Sequence, residues 1–139
     1  DLARTGRTGA ARRGRDGLEV LLVTTRSGRW IVPKGMIEPG LSPRQAAQME
    51  ALEEAGVRGL VSRRRLGWFE YSKRSRVHRV ELFTLLVREQ LRDWHESSRR
   101  RRRWVPLHTA ASLLAHRPAL SLVVRRLAKT RRATVAHAA

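Results

Sequence analysis

The chain has 139 residues, with 30 Lys and Arg against 12 Asp and Glu, for a formal charge of +18. That length suits one domain with a real core, and no apolar run approaches the 18 or so residues that would cross a membrane. Cysteine is absent, which excludes disulfides and thiolate zinc sites and accords with a cytoplasmic location.

In chain order, residues 1–17 are rich in Arg and Gly. The expected organisation is a basic segment over 1–8, a folded domain over 9–130 and a tail over 131–139, with a first strand near Gly9 to Arg13. Leu18 to Thr24 is an apolar run of strand length. Ser27-Gly28 signals a turn, and Trp30 to Val32 reads as a short strand ending at Pro33. Ser42 then has the features of an N-cap, with Pro43 at the first helical position and Gln45 completing a capping box. Alanines 46, 47, 51 and 55 favour helix, and Gly56 suits its end. Beyond the helix, Gly59 to Phe69 and Arg79 to Glu89 read as strands, the second with apolar residues on both faces. Trp104 to Pro106 is another short strand, and residues 107–115 and 118–130 read as helices. Alternating strands and helices of this kind give an α/β fold.

The helix between Ser42 and Gly56 carries the chemistry. Glu50, Glu53 and Glu54 are related by i, i+3 and i+4, so their carboxylates are neighbours on one face. Ala46 and Ala47 flank them and permit close approach, while Leu52 points roughly the opposite way, towards an expected core. Like charges at this spacing repel, and the helix holds almost no cation to offset them, since only Arg58 has the spacing and it lies past Gly56. A divalent metal is the simplest neutraliser. The bland alternative is a solvated acidic helix face.

From Gly35 to Val57 the spacing resembles the Nudix hydrolase box, G-x5-E-x7-R-E-U-x-E-E-x-G-U, where U is a bulky aliphatic residue. Glu50-Ala51-Leu52-Glu53-Glu54-Ala55-Gly56-Val57 matches its second half. Leu41 stands where the family has its first glutamate, with Glu38 three residues earlier, and Met49 stands where the family has an arginine that orients a catalytic glutamate. The resemblance implies an α/β/α sandwich with a mixed sheet. It also implies a Mg²⁺ or Mn²⁺ cofactor held by Glu50, Glu54 and the Gly35 backbone carbonyl, with Glu53 completing the set or positioning water. Glu50, Glu53 and Glu54 are the candidate catalytic residues.

Trp30 to Gly35, Leu66 to Glu70, His78-Arg79, Asp93-Trp94 and Arg100 to Trp104 further resemble the diphosphoinositol polyphosphate phosphohydrolases, which also take diadenosine polyphosphates. On that resemblance Arg26, Lys34, Gly35, Arg76, His78, Arg100 and Arg117 are candidate substrate-binding residues. Guanidinium groups suit this role because they bind phosphate bidentately and stay charged. The expected partner is an anionic polyphosphate small molecule, with nucleic acid less favoured and no membrane. Two other functions fit the same residues: hydrolysis of another nucleoside diphosphate derivative or an RNA 5′ end, and polyanion binding without catalysis through the run Arg99 to Arg103.

Overall fold

The apolar run after Gly17 forms strand β2 (Gly17–Thr24), in which Val20, Leu21, Leu22 and Val23 are all buried. A strand buried on both faces must be covered by other elements on each side. The structure is a computed structural model that describes residues 2–14, 17–36 and 39–127, with side chains over 19–34 and 39–127. Glu38, the upstream acid of the box region, lies outside the described residues, as do residues 128–130 of the last expected helix and the expected tail over 131–139.

Strand β1 (Leu2–Gly14) is longer than the strand expected near Gly9 to Arg13. Its residues 2–11 run parallel to β7 (Arg76–Gln90), so part of the expected basic segment over 1–8 belongs to the sheet. The Arg- and Gly-rich composition carries no apolar alternation, and the pairing comes instead from a partner strand of 15 residues. On its other side β1 pairs antiparallel with β2 and with β4 (Lys34–Met36), a strand the sequence does not announce. β3 (Trp30–Ile31) and β8 (Arg102–Pro106) pair with β2. β5 (Val57–Val61) and β6 (Gly67–Lys73) both pair with β7, completing a mixed eight-stranded sheet.

The strand expected over Gly59 to Phe69 is thus two strands. Between them the Ser62 hydroxyl donates to the Arg64 carbonyl at 2.9 Å and closes a turn. Arg65 there reaches back to the buried Glu81 at 2.9 Å. An exposed run of three arginines cannot continue a half-buried strand without desolvating them, so the chain breaks at this point.

Helix α1 (Pro43–Ala55) forms with both halves of its capping box: Ser42 Oγ accepts from the Gln45 N–H at 3.2 Å, and Gln45 Oε1 accepts from the Ser42 N–H at 2.9 Å. Replacing Ser42 by Ala removes one of these bonds and is expected to cost about 1 kcal/mol in a urea melt. Gly56 ends the helix in the left-handed region, at φ 65° and ψ 35°. The buried face of α1 consists of Ala46, Ala47, Ala51, Glu54 and Ala55. Leu52, expected to point to the core, is only half-buried and lines a surface cleft with Leu91. The small residues win because alanine lets α1 approach β1, β4, β5 and β7 closely, and that packing carries Glu54 inward with them.

Helix α2 (Leu107–Leu113) packs on β2 and β8, and residues 118–127 form a further helix, α3, whose Leu120, Val124 and Leu127 join the core. The result is an α/β/α arrangement around a mixed sheet. Among the described residues no helix is long and apolar enough to cross a membrane.

Candidate active site

Glu54 is the centre of the arrangement. Its residue is 5% exposed, and burial pushes its carboxyl pKa up, opposed by the Lys34 backbone N–H and the Arg100 cation. A carboxylate removed from water in this way needs donors or a cation. Lys34, on β4, donates its backbone N–H to Glu54 Oε2 at 2.9 Å, which brings Gly35 to the neighbourhood of the carboxylate. Arg100 Nη2 donates to the other oxygen, Oε1, at 3.3 Å. Glu50, one turn back on α1, is half-buried. Glu53 turns to the flank instead, where it lines a cleft with Asp93, Trp94 and His95. The three carboxylates therefore share a helix without converging, and among the described residues no three His, Cys, Asp or Glu side chains form a ready metal cluster.

The donors nonetheless fit a hard divalent cation in kind. Glu54, Glu50 and a Gly35 carbonyl would offer oxygen alone, the chemistry Mg²⁺ and Mn²⁺ prefer. Burial of Glu54 without full compensation is the physical condition such a cation relieves.

The carboxyl end of α1 is clamped by the segment between β7 and β8 and by the first residue of β8. Trp94 Nε1 donates to the Glu54 carbonyl, Arg102 Nη1 to the Ala55 carbonyl, both at 2.9 Å, and the Glu96 N–H to the Glu53 carbonyl at 3.2 Å. The Arg102 guanidinium also lies 4.0 Å over the Trp94 ring. These bonds satisfy carbonyls that a helix end leaves open. In the run Arg99 to Arg103, Arg100 and Arg102 consequently turn inward while Arg99, Arg101 and Arg103 are exposed. Glu96 is a neighbour that sequence reading did not name, while Trp94 and Arg102, read there only within the Asp93-Trp94 and Arg99 to Arg103 stretches, prove to cap α1. The spacing of Glu96 and Arg100, four apart, was the available signal for Glu96.

The other candidate substrate residues fall into separate places. Arg117 is half-buried before α3 and lines a cavity of about 270 Å³ with Phe69, Tyr71, Ser72 and His116. His78 stacks on Tyr71, with ring centroids 4.9 Å apart, so His78 and Arg117 both adjoin Tyr71. Arg76 opens β7 beyond the Arg74-Ser75 turn of the same hairpin and is exposed. Arg26 is exposed in the turn closed by the Gly28 N–H to Thr25 carbonyl bond at 3.0 Å. His116 Nε2 lies 2.8 Å from the Trp30 carbonyl and ties the cavity to β3, four residues before Lys34. Arg100 differs from all of these, because its guanidinium is engaged inside the protein.

A NUDIX domain model matches residues 4–127, and the chain belongs to that family. Within it, the chain is 44% identical over 105 residues to Mus musculus diphosphoinositol polyphosphate phosphohydrolase 3-alpha, an alignment covering 72% of this chain and 63% of that protein. It is 40% identical over 114 residues to Rattus norvegicus diphosphoinositol polyphosphate phosphohydrolase 2, covering 78% and 62%. The chain thus spans a little under two thirds of the length of these curated relatives. Its fold is similar to a NUDIX hydrolase from Nitrosomonas europaea, with a TM-score of 0.77 at 19% identity over 94% of this chain and 91% of that one. It is also similar to a C. elegans Ap4A hydrolase, with a TM-score of 0.71 at 20% identity over 92% and 96%.

Proposed function

We propose that the chain hydrolyses pyrophosphate linkages in diphosphoinositol polyphosphates or diadenosine polyphosphates with a divalent metal, Mg²⁺ or Mn²⁺. The observation that supports this best is Glu54, a buried carboxylate built into the packed face of α1 between the Lys34 N–H and Arg100. A solvated acidic helix face would not place its acid there. The similarity to diphosphoinositol polyphosphate phosphohydrolases supports the substrate class.

Glu50 and Glu54, with the Gly35 carbonyl, would hold the cation. When bound, such a cation offsets charge on phosphoryl oxygens and acidifies water. Water attacks one phosphorus of the linkage, the bridging P–O bond breaks, and its electron pair leaves with the departing phosphate. The water proton passes to Glu50 or Glu54, since Glu53, the third candidate, turns to the flank. Arg117, His78 and Arg76 hold the remaining phosphates, and Arg26 and Lys34 add positive charge.

Product analysis on a panel of diphosphoinositol pentakisphosphate, diadenosine hexaphosphate, ADP-ribose and 5′-triphosphate RNA tests the substrate class. The expected result is preference for one of the first two. Preference for either of the others would replace this substrate, and salt-sensitive binding without turnover would favour the polyanion-binding reading. Arg117→Ala is expected to raise KM about 10-fold for the preferred substrate, as loss of one charge-assisted contact to phosphate does, with little change in melting temperature.

A further inference from the structure

We propose that Arg100 is a positioning residue for Glu54, clamped by Glu96, and not a phosphate ligand. This rests on the reading of Glu54 as a site carboxylate. The guanidinium spends all three of its nitrogens inside the protein. Nη2 donates to Glu54 Oε1 at 3.3 Å, Nε to Glu96 Oε1 at 2.8 Å, and Nη1 to the Thr24 carbonyl at 2.7 Å. A planar fork held at three points has little freedom to swing out towards a substrate.

Its backbone is anchored as well. The neighbouring Arg101 donates its N–H to Thr24 Oγ1 at 3.0 Å, and its carbonyl accepts from the Thr24 N–H at 3.1 Å. Arg100 therefore starts from a point stitched to the end of β2, and its Cα cannot drift relative to the sheet. Glu96 fixes the far side of the fork, and the Glu96 N–H bonded to the Glu53 carbonyl fixes Glu96 in turn to α1.

The helix supplies no alternative. From Gln45 to Ala55 there is no Lys or Arg, and position 49, which precedes Glu50, is Met. Arg44, the helix's own cation, donates to the Val61 carbonyl at 3.0 Å. The cation that meets Glu54 comes from 46 positions away in sequence. Between the Lys34 N–H on Oε2 and Arg100 on Oε1 the carboxylate plane is set from both sides, which leaves its remaining lone pairs in one orientation. Loss of Arg100 leaves Oε2 tethered and Oε1 free to rotate.

The test compares Arg100→Gln with wild type by amide hydrogen exchange at Lys34, whose N–H reports the position of Glu54, and by steady-state kinetics on the preferred polyphosphate. The Lys34 amide is expected to exchange about 10-fold faster, with kcat about 30-fold lower and KM within about 3-fold of wild type. Unchanged Lys34 exchange overturns the proposal, and so does a raised KM with kcat intact, which marks a phosphate ligand. If Arg100→Gln does not fold, Glu96→Gln retains Arg100 and its bond to Thr24, and loosens only the clamp. It is expected to show the same pattern at smaller amplitude, and wild-type exchange there is the overturning result. Absence of turnover in the wild type defeats the hydrolase reading, while the exchange measurement still decides whether Arg100 positions Glu54.

Discussion

Glu54→Gln is expected to lose about a thousand-fold or more in metal-dependent turnover while the fold survives. Glutamine has the shape of glutamate, and its amide oxygen can still accept the Lys34 N–H that Glu54 Oε2 accepts at 2.9 Å. What disappears is the negative charge at the centre of the packed face of α1, and with it the strongest oxygen donor for a cation. The amide nitrogen then faces the Arg100 Nη2 that Glu54 Oε1 accepts, while Arg100 keeps Glu96 and Thr24, so the fold is retained with a melting temperature several degrees below wild type. The paired measurement is turnover with a saturating divalent metal and a thermal melt. A variant that is folded and fully active would remove Glu54 from the chemistry.

Gly56→Ala is expected to be a strongly damaging single-methyl change beside the site. At φ 65° an alanine is strained, and its Cβ would lie 2.7 Å from Trp94 Cβ and 2.9 Å from Arg102 Nη1. Those are the two side chains that cap α1, and the Trp94 contact is at the rigid base of the side chain. Left-handed strain and overpacking together are expected to cost about 3 kcal/mol, lowering the melting temperature by roughly 10 °C. Turnover should fall as well, because Trp94 and Arg102 hold the Glu54 and Ala55 carbonyls. A melt and a rate measured well below the transition separate the two effects.

The legible and illegible parts of this molecule divide by range. Helix α1 was readable to its ends, because a capping box, a first-turn proline and a terminal glycine act within a few residues of one another. β2, β3, β7 and β8 were readable from apolar runs and alternation. β1 was readable only in part and β4 not at all: neither carries the apolar signal, and β4 and the first half of β1 exist through pairing with distant strands. The break at Ser62 was hidden because the buried acid that draws Arg65 back, Glu81, is 16 positions further on.

The site divides in the same way. The spacing of Glu50, Glu53 and Glu54 was local, but which carboxylate is buried was set by how the alanines of α1 meet the sheet. An amphipathic reading sends Leu52 inward and the acids outward, and here close packing of small side chains buries Glu54 and leaves Leu52 half-buried. Arg100 shows the limit most clearly. Its arginine type suits phosphate as well as carboxylate, and only the folded positions of Thr24, Glu54 and Glu96 reveal that it is engaged within the protein.

The proposed site is a metal-dependent hydrolytic one built around Glu54. Phosphate release from diphosphoinositol pentakisphosphate, followed with Mg²⁺ and again with EDTA, tests it most directly. Release with Mg²⁺ that EDTA abolishes is the predicted result. Release that persists undiminished in EDTA would contradict the metal-dependent mechanism, and tight binding with no release under either condition would make this a polyanion-binding NUDIX chain.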